Sequence, residues 1–522
     1  MTSSMHTKDV RRLALSVLQP GFVGTEAPDW VLGAIRDGLS SVVLFTRNIV
    51  SPQQVARLTA QLRQENPDLV IAIDEEAGDV TRLESATGST RPGNFALGAV
   101  DDVELTESVA RDLGRQLHAA GVSLDYAPSV DVNSNPDNPI IGVRSFGTAP
   151  DVVSRHTAAW VQGLQSAGVA ACAKHFPGHG DVAVDSHHGL PSYDAGVDEI
   201  AEQALPPFRA ALAAGVRAVM SGHLLVPAYD PESPATLSRR ILVELLRKEL
   251  GFDGLIVTDA IEMGAVTGLY GIGGATVRAL AAGADAICVG GESAEESTTR
   301  LLTASVVDAV ASGELPLDRL AEASERVREF ADWSTRLGDA VPVDPVSRDI
   351  GYVAARRAVR LSGPAADALP LADAPHVVEL VPSTNLAIGK ETPWGVAVPL
   401  RERVPGTTFV RLHPQELAKG PAALREYGLA PAAGRPLVVV VRDAARHAWM
   451  GSALADLTAA RPDAIVVEMG LPGAATAPGS LHIFTHGATA ASGVAAAEVL
   501  AGSRRTADAA PQASEVLAAP RV

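Results

Sequence analysis

The chain has 522 residues, of which 47% are hydrophobic and 20% charged, a globular composition too long for one core. Its formal charge of −18 weighs against a nucleic-acid or anionic-membrane partner. Apolar runs fall far short of the roughly 18 residues a membrane helix needs, and Met1 to Gly24 shows no small-residue cleavage site, so a cytoplasmic protein is expected.

From the N-terminus, short β-branched runs recur as predicted strands: Ala14–Leu18, Ser41–Phe45, Leu69–Asp74, Val122–Ala127, Val169–Lys174, Arg217–Ser221, Leu255–Asp259 and Ala284–Val289. Between them, Pro52–Gln64, Asp102–Ala120, Val152–Ala167, Val197–Ala214 and Arg239–Leu250 carry apolar residues at the three-to-four spacing of helices. Strands alternating with helices predict a parallel sheet with right-handed crossovers, and eight of them predict a (β/α)8 TIM barrel over residues 1–335. Cys172 and Cys288 each lie in an apolar run and are expected as buried free thiols.

Pro, Gly and Asp then mark a linker at 336–350. Four more strand-like runs follow, His376–Val381, Pro436–Val441, Ala464–Glu468 and Leu481–Thr485, with Ala-rich helical segments among them. They predict a smaller α/β/α sandwich over 351–502. Residues 503–522 hold few large apolar side chains and are expected to be a disordered tail.

Asp74, Arg144, Lys174, His175, His223 and Asp259 are expected at or just after the C-terminal ends of predicted strands, the face that carries barrel active sites. The densest stretch is Lys174-His175-Phe176-Pro177-Gly178-His179-Gly180-Asp181, continued by Asp185-Ser186-His187. Its Gly and Pro predict a mobile loop above a strand end. Asp185 and His187 can share a hydrogen bond in which the carboxylate orients the imidazole and raises its basicity, a proton-transfer dyad. Asp259, leaving a buried strand, reads either as a helix cap or as a nucleophile facing that dyad. The second arrangement suits double displacement at an anomeric carbon.

These segments resemble glycoside hydrolase family 3 β-N-acetylglucosaminidases of the two-domain bacterial type. The likeness is carried by the Lys174–His187 stretch, by Gly251-Phe252-Asp253-Gly254-Leu255-Ile256-Val257-Thr258-Asp259 with Met263-Gly264-Ala265, by Ile73–Leu83, and by Ile141-Gly142-Val143-Arg144-Ser145-Phe146-Gly147. The resemblance implies Asp259 as nucleophile, His187 as acid/base and Asp185 as its dyad partner. It implies Asp74, Arg82, Arg144, Lys174 and His175 as the residues that hold the sugar. It further implies a retaining exo-β-N-acetylglucosaminidase that takes GlcNAc from chitin oligosaccharides or muropeptide fragments, needs no cofactor or metal, and has a small-molecule glycoside as its substrate. Oligomeric state has no sequence signal. The chain departs from the family pattern at Asp74-Glu75-Glu76-Ala77-Gly78-Asp79, where Asp79 replaces an Arg and is expected to remove a cation near the pocket, and Ala77 replaces a Gly. Phosphorolysis releasing GlcNAc 1-phosphate, a sugar-binding barrel without catalysis and a metal-hydrolase use of the His-rich loop stay open as alternatives.

Overall fold

The computed structural model describes residues 7–186, 189–340, 349–363, 369–383, 388–389, 392–418, 420, 422–473 and 481–502. Eight short parallel strands build the first domain: β1 (Leu18–Pro20), β2 (Ser41–Leu44), β3 (Val70–Ile73), β4 (Leu124–Asp125), β5 (Ala170–Phe176), β6 (Ala218–Ser221), β7 (Leu255–Thr258) and β8 (Ile287–Val289). A parallel ladder runs from β2 to β7 in order, a bridge from Val257 to Ala286 leads on toward β8, and β8 pairs with β1. The sheet curls into a TIM-type barrel, with no ladder between β1 and β2 among the described residues.

The curl follows from the two-residue alternation of strand side chains. Val43, Ala72, Leu124, Cys172, Ala218, Val257 and Cys288 share one cluster with Phe330 and Ala331 of helix Leu317–Ala340. Val42, Leu44, Ile71, Ile73, Ala171, Val219 and Ile256 belong instead to the cluster formed with the surrounding helices. Small side chains dominate the first set, which is how a chain with only 4% aromatics fills a barrel. Cys172 and Cys288 are both free and buried.

Some predicted elements differ. The run Ala14–Leu18 is not a strand: Thr7–Ser16 is a helix, and β1 begins only at Leu18. Val10, Leu13, Ala14 and Val17 also fit helical spacing, and a short apolar run does not distinguish the two. The helix expected over Val197–Ala214 is two, Val197–Gln203 and Leu205–Ala213, with Pro206 and Pro207 opening the second. The linker expected at 336–350 begins inside helix Leu317–Ala340 and ends inside helix Asp349–Ala358. The residues between them, 341–348, and the tail 503–522 lie outside the described ones.

The second domain is a six-stranded sheet of β9 (Arg360–Ser362), β10 (His376–Leu380), β11 (Thr408–Leu412), β12 (Leu437–Val441), β13 (Ile465–Glu468) and β14 (Leu481–Phe484). Their order is β9-β14-β13-β12-β10-β11, parallel except for the edge strand β9. Val438 and Val440 pack with Leu400 and Ala497, whereas Val439 and Val441 pack with Met450 and Leu457, so helices cover both faces. The sequence reading missed β9 and β11. Both are edges, with mostly exposed residues and no continuous apolar run. Helix Asp349–Ala358 serves both domains: Ala354 joins the barrel core and Ala355 packs with Ala491 and Ala495. No helix among the described residues is long and apolar enough to cross a membrane.

Helices Val103–Ala119 and Pro150–Ser166 are in tight contact at Gly163, where an added Cβ would stand 2.2 Å from the Glu107 carbonyl oxygen. Gly163→Ala should therefore force the pair apart and destabilise the barrel by about 1–3 kcal/mol, seen as a lower urea midpoint. An unchanged midpoint would show that the helices can separate without loss.

Candidate active site

A cavity of about 630 Å³ opens at the C-terminal ends of the barrel strands, a size typical of small-ligand sites. Val43, Tyr126, Met220 and Cys288 line it, and Asp74, Arg82, Arg144, Lys174, His175 and Asp259 meet in it. The sequence had scattered these six residues over 186 positions (259 − 74 + 1). Ser186 also lines the cavity. Asp185 is half-buried beside it in sequence, and His187 lies outside the described residues.

Asp74 is the first residue beyond β3, and the chain then folds back in a hairpin that returns Arg82 to it. Arg82 Nη2 donates to Asp74 Oδ2 at 3.0 Å. The return is fixed by Glu75, whose Oε2 accepts from the N–H groups of Arg82 (2.7 Å) and Leu83 (2.9 Å) and from Thr81 Oγ1 (3.1 Å). Burial outweighs these bonds and holds the Glu75 carboxyl up at about 7. Beneath it, Asp125 accepts from the Glu75 N–H at 2.9 Å, and burial raises its carboxyl well above the usual range.

Glu76 ties two cations of the cavity together. Arg144 grips it with a fork, Nε at 2.9 Å and Nη2 at 2.6 Å, and Lys174 Nζ reaches its Oε1 at 2.6 Å while also bonding Asp74. Burial alone would push the Glu76 carboxyl up, but Arg144 and Lys174 hold it well below the usual carboxylate range. Burial works against the charge on Lys174 too, and Asp74 and Glu76 keep its pKa raised. The sequence placed Arg144 at a strand end. It sits instead on a tight turn, Gly142–Arg144, in the long connection after β4, brought inward because Asn138 Oδ1 and Asn133 Oδ1 accept the backbone N–H groups of 140–142.

Lys174 and His175 belong to β5 itself rather than to a loop above it. His175 Nδ1 bonds Asp131 Oδ2 at 2.8 Å, leaving Nε2 as the ring nitrogen for the cavity. Asp131 is fully buried and also accepts from the backbone N–H groups of His175 (3.2 Å) and His179 (2.7 Å). Burial raises its pKa and His175 more than reverses this, so the carboxylate is kept ionised. The following loop is only partly as expected. Gly178–Val182 is packed rather than loose: Asn138 Nδ2 donates to the His179 carbonyl at 2.7 Å, and a Cβ on Gly180 would lie 1.8 Å from the Val132 carbonyl oxygen. His179 lines the cavity with neither ring nitrogen bonded, and burial followed by the neighbouring His175 lowers its pKa to about 4.

Asp259 follows β7, its backbone N–H donating to the Ser221 carbonyl at 3.1 Å and its Oδ1 accepting from the Ala260 N–H at 2.8 Å. It is not a helix cap, because the next helix starts at Gly264 with Met263 before it. His223, also expected at a strand end, is buried behind this segment. It bonds Thr236 Oγ1 (2.9 Å) and the Ala260 carbonyl (3.0 Å), so it braces the turn without lining the cavity.

Sequence reasoning gave no role to Glu76, Asp131, Arg47 or Glu262. Arg47 and Glu262 line the outer cavity beside Phe45 and Gly291. Arg47, Asp131 and Glu262 each fall a few residues beyond a predicted strand, the signal that picked out Asp74 and Asp259. Asp79 differs from expectation. It is not among the residues lining the cavity, and its carboxylate is taken up by the second domain, by Arg442 Nη2 (2.6 Å) and the Ala488 N–H (2.8 Å). Replacing an Arg here therefore changes a domain contact rather than the cavity wall.

Residues 30–330 match the family described as the glycosyl hydrolase family 3 N terminal domain. The chain is 38% identical over 272 residues to a beta-hexosaminidase A of Pseudoalteromonas piscicida, covering 48% of this chain and 45% of that one. It is 37% identical over 279 residues to a beta-hexosaminidase of Stenotrophomonas maltophilia, covering 52% and 82%. It thus spans less than half of the first relative's length. Among solved structures, a family 3 beta-N-acetylglucosaminidase from Paenibacillus sp. superposes with a TM-score of 0.82 at 32% identity, covering 94% of this chain and 96% of that one.

The raised pKa of Glu75 makes a signed prediction. Below pH 4.5 the folded and unfolded chains both hold this proton. Between 4.5 and about 7 only the folded chain keeps it, so the stability the proton confers is lost as pH rises through that window. Relative to Glu75→Gln, the native protein should lose about 2–4 kcal/mol of unfolding free energy from pH 4.5 to 7.5. Denaturant titrations of both proteins across that range would measure it, and parallel curves would mean that Glu75 is ionised in the fold.

Proposed function

The chain is a glycoside hydrolase that belongs to family 3, and from that premise we propose that it is a retaining exo-β-N-acetylglucosaminidase acting on chitin oligosaccharides or cell-wall muropeptide fragments. The observation that carries this reading is the meeting of Asp259 with Asp74, Arg82, Arg144, Lys174 and His175 in one cavity. The β-hexosaminidase names of the sequence relatives and the beta-N-acetylglucosaminidase name of the structural relative support the sugar assigned.

Asp74 accepts from sugar hydroxyls, Arg82, Arg144 and Lys174 supply donors to hydroxyls and the acetamido group, and His175, whose Nδ1–H is taken by Asp131, offers Nε2 as an acceptor to a hydroxyl. Paired as they are, these groups are already desolvated and oriented, so a sugar that matches them replaces water at little reorganisation cost. A β-glucoside leaves the acetamido partners unpaired, which is the source of selectivity. Asp259 attacks the anomeric carbon as His187, held by Asp185, protonates the leaving oxygen. A covalent glycosyl-enzyme forms. His187 then takes a proton from water as it attacks, and the product keeps the β configuration. Proton NMR of the first product, with chitobiose and muropeptide fragments as substrates and phosphate present or absent, tests reaction, stereochemistry and acceptor together. An initial α-anomer or a sugar 1-phosphate would overturn the reading.

Two substitutions test the roles. Asp259→Ala should lower turnover of aryl N-acetyl-β-glucosaminides by more than about a thousandfold without unfolding the barrel, and added azide should yield the α-glycosyl azide. Near-normal hydrolysis would remove Asp259 from the chemistry.

His187→Ala should damage substrates with poor leaving groups far more than dinitrophenyl glycosides, since an acidic leaving group needs little protonation. With the activated substrate a covalent intermediate should accumulate, detectable by mass spectrometry. Equal losses across leaving groups would mean that His187 only shapes the pocket.

A further inference from the structure

Barrel and second domain meet at the far end of the hairpin that carries the sugar-side residues. After β3 the chain turns at Ala77 (φ 57°) and Gly78 (φ 61°) and closes on an antiparallel bridge between Ala77 and Val80. Asp74, Glu76 and Arg82 stand at its root. Asp79 stands at its tip, its side chain 2% exposed, with one oxygen on Arg442 and the other on the Ala488 N–H. Arg442 directly follows β12, and its guanidinium lies 5.7 Å from the centre of the Trp394 ring. A second contact of this sort bears on the Gly142–Arg144 turn. Gly142 has φ 51°, and a Cβ there would come within 3.2 Å of Arg446 Nη1.

We propose that the second domain is the outer frame of the sugar-binding side of the cavity, with Arg442 as a positioning residue that fixes Asp74, Glu76 and Arg82 through Asp79. The inference rests on the reading of the cavity as a glycoside site. A buried carboxylate that loses its cation must find water or another partner. Asp79 sits only three residues from both Glu76 and Arg82 in a tight hairpin, so moving the tip to rehydrate it drags the root. Groups that bind the sugar in ground and transition states alike would be displaced, and Asp259 would not. The loss therefore falls on binding rather than on the chemical step.

Arg442→Met in the full-length chain tests this, with Asp79→Asn as a second, nearly isosteric variant should the first fold poorly. KM for an aryl N-acetyl-β-glucosaminide and the inhibition constant of N-acetylglucosamine should both rise about tenfold, with kcat within about threefold. Arg442→Lys should restore part of the loss. Hydrogen–deuterium exchange should quicken in 74–83 but not in β3. Arg357→Ala breaks an exposed pair with Asp102 across the same two domains and should change none of these. A variant whose KM is native and whose only defect is a smaller active fraction, counted with a 5-fluoro N-acetylglucosaminyl inhibitor that keeps the acetamido group, would overturn the proposal. So would unchanged exchange in 74–83. If the native protein turns over no N-acetyl-β-hexosaminide, the functional reading fails and the exchange comparison still decides this one.

Discussion

The site depends on ionised side chains that burial would disfavour if each stood alone. Lys174 and Glu76 have side chains 2% and 3% exposed and touch each other, and each is kept charged there by a further partner as well, Asp74 for Lys174 and Arg144 for Glu76. Arg144 and Asp74 complete the lattice, with Arg82 closing it from the hairpin. Lys174, Glu76 and Asp74 each hold two oppositely charged partners, so removal of one member shifts the charge balance of the whole lattice. The same pairing pre-orients donors and acceptors around the cavity, which is the condition under which a polar ligand gains most from binding.

Barrel architecture explains why the lattice could be assembled from distant segments. Each strand delivers its last residues to one face, and there the inward set changes from Ala, Val and Cys to Asp, Lys and His. That change was legible in the sequence: Asp74, Lys174, His175 and Asp259 were all found from apolar runs that end in a titratable residue. Arg144 was singled out but placed at a strand end, because its tight turn is set by two asparagine side chains and has no periodicity. Glu75 and Glu76 are neighbours with opposite fates, one pushed up by burial to about 7 and the other pulled down by two cations. Sequence gives no hint of which is which, since the difference lies in partners 68 and 98 positions away (144 − 76 and 174 − 76).

The second domain was less readable. Its four central strands stand out as continuous apolar runs because both faces are covered by helices, whereas the edges β9 and β11 alternate with polar residues and resemble loops. The loop after β5 misled in the other direction. Glycine there was read as looseness, yet Gly180 and Gly178 are glycines because a backbone carbonyl and Ala204 leave no room for a side chain. Close approach and flexibility use the same residue, and only the neighbours tell them apart.

The hairpin tip has a bearing on how the chain can change over time. Asp79 and Arg442 lie 363 residues apart and almost wholly out of solvent. Reversing the sign of either alone would seal two like charges together, so the two positions are free to drift only as a couple. A barrel of this kind transplanted onto another partner domain would bring a stranded acid with it. Of the two departures from the resembled motif, Asp79 is thus the one that ties the first half of the chain to its second.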